Sequence, residues 1–170
     1  MHADDQIMDI AQRAQVRNSR EAFITKNLEF SAEMDRLSRS LALTDGVYSG
    51  SLGQWLSLSN VQLIRAANWS RELLGIFEKS PFEPETKRDV QVKAPVAIEL
   101  TPAGVADFRR ELETAFDKYT ANFDWSFCSE QYEVLWGRQR MDQVWAAAKE
   151  ALQWLDRALA SLHQHQGEPL

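Results

Sequence analysis

Between Met141 and Leu162 apolar residues return every three or four positions: Met141, Trp145, Ala148, Leu152, Leu155, Leu159 and Leu162. That spacing stacks side chains on one face of an α-helix. Val144, Ala151 and Ala158 widen the stripe into a broad core face, while Lys149, Glu150, Gln153 and Arg157 fall on the other side. A lone helix of this length is marginal in water, so its apolar face needs partners elsewhere in the chain.

The same period predicts those partners. Residues 4–16 read as a short helix with Ile7, Ile10, Ala11 and Ala14 on one side. Asn18 followed by Glu21 resembles a capping box, and the apolar phase then moves to Phe23, Phe30, Met34, Leu37 and Leu41. A kink or break near 17–19 is therefore expected, with a helix over 19–43; one continuous helix is the alternative. Asn27 sits at the edge of the new apolar face and is expected to point to solvent, the other reading being a buried polar group that fixes register.

A second long helix is predicted from Leu52 to about Lys79. Leu52, Leu56, Leu63, Ala67, Leu74 and Phe77 share one face, and Leu58, Val61 and Ile76 lie on the opposite one, as in a helix buried nearly all round. Gly53 and Gly75 each weaken it by about 1 kcal/mol relative to Ala. Ser57, Ser59, Asn60 and Ser70 supply small polar groups suited to close helix approach or to bonds with backbone carbonyls.

Pro81, Pro84 and Pro95 punctuate a non-helical excursion over about 81–100. Val90 and Val92, then Val96, Ile98 and Leu100, alternate with other residues, which predicts a small β-hairpin. Thr101 and Pro102 restart the helix as N-cap and first helical residue. Val105, Phe108, Leu112, Ala115, Phe116 and Tyr119 form its apolar face. The aromatic-rich connector over 121–129, with Phe123, Trp125 and Phe127, is expected to plug the end of the fold. A last helix over 130–163 contains the stripe described first.

These elements predict a single all-α domain over 1–170, an antiparallel bundle of four to five helices with one excursion. In it the helices 19–43 and 102–120 pack around the helices 52–79 and 130–163.

Charge changes the picture modestly. The formal net charge is −6 and no Lys/Arg cluster stands out, which argues against nucleic-acid binding. An acidic protein can meet a partner with a basic surface. The single Cys128 allows neither an intrachain disulfide nor a cysteine zinc cage, and it fits a reducing compartment. No apolar run follows Met1 and none is long enough to span a bilayer, so a cytoplasmic protein away from membranes is expected.

The chain offers little catalytic chemistry. His2, His163 and His165 lie near the termini and form no metal-ligand spacing, and the Gly-rich phosphate and dinucleotide motifs are missing, so neither metal nor cofactor is expected. Arg157 and His163, six residues apart near the end of the last helix, resemble the Arg/His signature of HEPN-family ribonucleases, which are also helical bundles. The resemblance departs from the family pattern at Ala158, where a polar residue is usual. It implies metal-independent RNA cleavage, with His163 helping to activate the ribose hydroxyl and Arg157 stabilising phosphate charge. A third reading is a small-molecule site using Ser59, Asn60 and Ser70.

The stronger hint is aromatic. Trp136, Ala147 and Trp154 form a second stripe on the last helix, about 120° from the core face. A neighbouring helix would explain the stripe. A partner-binding patch would too, since Trp is enriched at interaction hot spots, and Trp69 and Trp125 could join it. Ala147, Ala158 and Ser161 are expected to leave a shallow surface around Trp154 that a partner could enter. The favoured expectation is a non-enzymatic protein acting on another protein as an inhibitor, immunity-type protein or chaperone-like adaptor, or through a homo-oligomer.

Overall fold

The computed structural model describes residues 3–44, 50–78, 93–120, 124–128 and 130–165. They form an all-α four-helix bundle: α1 (Ala3–Leu43), α2 (Gly50–Glu78), α3 (Pro102–Tyr119) and α4 (Gln131–His165). No strand occurs among the described residues. Phe30, Met34, Leu37 and Leu41 from α1 meet Leu56, Leu63 and Ala67 from α2, Val105, Phe108 and Leu112 from α3, and Val144, Ala148, Ala151 and Leu155 from α4.

Around the bundle α1 touches α2, α2 touches α4, α4 touches α3 and α3 touches α1. Neighbours run antiparallel. On α1 and α2, for example, Ser38 bonds Asn60 while Asn27 bonds Ser70. The α2–α4 seam is the most extensive contact and the α1–α3 contact the thinnest. Small buried side chains on the two helices, Ala66 on α2 and Ala147, Ala148 and Ala151 on α4, allow a close approach. The two backbones approach until the Ser59 hydroxyl donates to the Ala151 carbonyl at 2.9 Å.

Three sequence expectations are corrected here. The first concerns the break near 17–19. α1 is one continuous helix through these residues, so Asn18 lies inside it and is not a cap, and the neighbouring Ser19 hydroxyl donates to the Val16 carbonyl one turn back. The change of apolar phase has another cause. Residues 9–18 are largely exposed, Ile10 at 67%, so this part of α1 does not share the core face that begins at Phe23.

The second concerns Asn27, which is 1% exposed rather than solvent-facing. Its amide donates to the Phe23 carbonyl at 2.9 Å, and its backbone and side-chain oxygens both accept from the Ser70 hydroxyl, at 3.2 and 3.3 Å. A buried amide without such partners would cost about 1–3 kcal/mol, and here a polar link between α1 and α2 takes their place.

The third concerns the hairpin. Val90 and Val92 lie outside the described residues, and the stretch from Val96 to Leu100 forms no strand. Its alternate backbone amides go to hydroxyls at the end of α1 instead: Val96 N–H to Ser40 Oγ at 3.2 Å, and Ile98 N–H to Thr44 Oγ1 at 3.0 Å. Ile98 and Leu100 pack against the core while Val96 stays exposed, so the period of two is kept without a strand partner. Thr101 then caps α3, accepting the Gly104 N–H at 3.0 Å. Gly104 is needed there, because a Cβ would collide with the Glu99 carbonyl.

α3 has 18 residues against 35 in α4, so it covers only part of the bundle's length. Past its end, where Tyr119 packs edge-on to Phe30, the segment 124–128 takes its place. Trp125 and Phe127 lie against Phe23 with ring centroids 5.3 and 4.9 Å away, closing a second core cluster with Leu73 and Met141. Trp125 and Phe127 thus close this end of the fold as expected, while Phe123 lies outside the described residues.

Candidate functional site

α2 carries Trp55 and Trp69 fourteen residues apart, about 21 Å along the axis, and α4 carries Trp136 and Trp154 eighteen apart, about 27 Å. Both intervals are near whole numbers of turns, so each pair of tryptophans keeps to one side of its helix. Because α2 and α4 are antiparallel neighbours, the four indoles fall into two units at the two ends of the seam.

At one end Trp55 and Trp154 stack, with centroids 5.5 Å apart and planes 10° from parallel. Arg157, one turn beyond Trp154, lies over both rings, 5.3 Å from the Trp55 centroid and 5.2 Å from that of Trp154. The Trp154 Nε1–H is buried and has no acceptor. At the other end Trp69 and Trp136 line a cleft of about 120 Å³ with Glu72, Leu73, Arg140 and Gln143. Arg140, one turn beyond Trp136, stands 5.2 Å from its ring centroid. Such cation–π contacts contribute about 0.5–1 kcal/mol at exposed sites. Both arginines are exposed, and neither has a carboxylate partner among the described residues.

The four tryptophans singled out from sequence divide between these ends. Trp69 and Trp136 share the cleft. Trp125 packs into the adjoining cluster around Phe23, which Trp136 also contacts. Trp154 sits at the far end against Trp55. The shallow surface expected around Trp154 is not there: Ala147, Ala158 and Ser161 are all buried by the chain's own packing. Trp55 and Arg140 were not singled out. Trp55 could have been, since its spacing to Trp69 roughly matches that of Trp154 to Trp136 once the helices are antiparallel.

Arg157 and His163 do not come together by helix geometry. Six residues place them about 120° apart around α4, with Arg157 on the indoles and His163 exposed. Nor do Ser59, Asn60 and Ser70 converge on a cavity. Ser59 bonds Ala151, Asn60 accepts from Ser38 at 2.6 Å and Ser70 bonds Asn27.

A second depression, of about 530 Å³, opens where α1 and α3 touch least, lined in part by Glu33, Arg36, Lys93, Arg110, Lys118 and Tyr119. Its charges are mostly paired internally. Arg36 is 8% exposed, and its guanidinium reaches Glu33 at 2.8 Å and Glu111 at 3.4 Å. Arg110 pairs with Asp107 at 3.1 Å, and Lys118 lies over the Tyr119 ring. Cys128 is half-buried, and burial, with a smaller contribution from the nearby charge of Glu133, pushes its thiol up to about 11. Among the described residues no group of three or more His, Cys, Asp or Glu could hold a metal ion, and no helix is long and apolar enough to cross a membrane.

No family model matches this chain, and no curated protein or solved structure resembles it significantly.

Proposed function

We propose that the protein acts by binding another protein through the α2–α4 face, with Trp69 and Trp136 as anchors at its open end, while Trp55 and Trp154 at the other end pack on each other. The observation that carries this reading is the exposed part of the cleft: Trp69 is 39% exposed beside a half-buried Trp136, with Leu73 and the Arg140 guanidinium alongside. A large indole left partly open next to a cleft is the usual form of an interaction anchor, and Arg joins Trp in that enrichment. Trp125 supports the face from beneath through the Phe23 cluster rather than lining it.

The role that fits is a non-enzymatic adaptor, inhibitor or immunity-type protein in a reducing, cytoplasmic setting, which suits the single thiol of Cys128. A second copy of the chain is the other occupant such a face could take. Affinity capture from the native cell extract, run in parallel on the wild type and Trp69→Ala, tests the proposal. A partner retained by the wild type and lost on the variant is the expected result. Equal recovery on both would remove this face from the function.

A further inference from the structure

We infer that α3 is a lid: it lifts from the other three helices as one unit and bares the groove between α1 and α4 that it fills. Around the bundle α3 lies across from α2, so the lid and the proposed interaction face stand independently.

The helix is tied down at both ends. Before it, the Val96 and Ile98 amides donate to Ser40 and Thr44 at the end of α1. After it, Trp125 and Phe127 pack on Phe23. Phe23 and Ser40 are seventeen residues apart on α1, about 26 Å, which is close to the length of the 18-residue α3. A strap held at both ends stays over its own groove when it lifts, so it closes again at a high effective concentration.

Between the ties α3 has the least contact of the four helices with its neighbours. Its seam with α1 is the thinnest, and the depression of about 530 Å³ opens there. The ion pairs across its two seams, Arg36 with Glu111 and Arg109 with Asp156, both use exposed carboxylates that water can take over. Lifting α3 leaves Arg36 with Glu33, one turn away on its own helix at 2.8 Å, so no buried charge is stranded. The other seams hold hydrogen bonds inside the core, Asn27 with Ser70 and Ser59 with Ala151, which water reaches only if the core itself opens.

An apolar face keeps the lid shut: Val105, Phe108, Leu112, Ala115 and Tyr119 are buried, Tyr119 edge-on to Phe30. A helix this short owes most of its stability to such packing, so once lifted it unwinds and its amides meet water. A contiguous unit of this kind opens at a lower free energy than the whole fold.

Native-state hydrogen exchange of the full chain, read by mass spectrometry well below the urea transition, tests the lid. Amides in the middle of α3, residues 106–116, are expected to exchange about tenfold or more faster than those over 60–70 of α2 and 144–155 of α4. Low urea should speed α2 and α4 more steeply than α3, because global unfolding exposes more surface than lifting one helix. Ser70→Ala weakens the α1–α2 link, which is intact whether the lid is up or down. It should therefore speed α2 and α4 by about fivefold or more and leave the middle of α3 unchanged. Equal exchange in the three helices, or equal acceleration of all three by Ser70→Ala, would show a single all-or-none bundle and overturn the lid. Fast exchange confined to the first and last turns of α3 would be end fraying and would overturn it as well.

Discussion

Trp55 and Trp154 stack nearly parallel across the α2–α4 seam, 5.5 Å between ring centroids, and the indole N–H of Trp154 ends in the packing without an acceptor. The ring is retained at the cost of an unsatisfied donor, about 1–3 kcal/mol. Trp154→Phe keeps most of the stacking and removes the orphan. Its thermal midpoint is expected to equal or exceed that of the wild type. A clear drop would mean the N–H has a partner in solution.

The polar link between α1 and α2 predicts coupling. Asn27 and Ser70 share a buried contact, so Asn27→Ala and Ser70→Ala should each destabilise by about 1–3 kcal/mol in urea unfolding. The double variant should lose less than the two single losses added together, since each removes the same bond. Strict additivity would show that the two residues stabilise independently.

Leu155 is fully buried in the main cluster. Leu155→Ala should cost about 2–5 kcal/mol, from lost burial and the cavity left behind, with mostly helical circular dichroism retained. A cost near zero would place this face of α4 outside the core.

The thiol of Cys128 titrates high, up to about 11, because burial disfavours the thiolate. Only the thiolate is nucleophilic, so iodoacetamide should label the native protein slowly at pH 8 and faster as pH rises toward that value. The sign for stability follows from the same shift. The folded pKa lies above the unfolded one, so the contribution is present below the unfolded pKa and lost as pH climbs through the folded value. Rapid labelling at neutral pH, at the rate of an unfolded control, would contradict the burial.

Much of the fold was legible because apolar spacing is a local signal. The stripe from Met141 to Leu162 and the Thr101–Pro102 start of α3 both reappear as helices within a residue or two. What misled was any step that assumed a phase change must break a helix. Residues 9–18 of α1 lie largely outside the core, so the pattern there carried no information about it. Asn27 was misjudged because its own helix places it at a boundary, and only the approach of Ser70 from α2 decides which side of the boundary is buried. The expected hairpin failed for a related reason: hydroxyls of Ser40 and Thr44 far away in sequence take the amides a strand would have taken. The site was half legible. Single tryptophans were visible, but their pairing needed the antiparallel register of α2 and α4.

On the proposed function the half-open Trp69 serves association rather than the monomer's core, and Trp69→Ala shows which quantity moves. Urea unfolding and recovery of the captured partner are measured on the same preparation. The expected result is a stability loss under about 1 kcal/mol, as for a surface substitution, with partner binding weakened by about 2 kcal/mol or more. A loss of about 3–5 kcal/mol in monomer stability, with partner recovery unchanged at equal folded fraction, would contradict it.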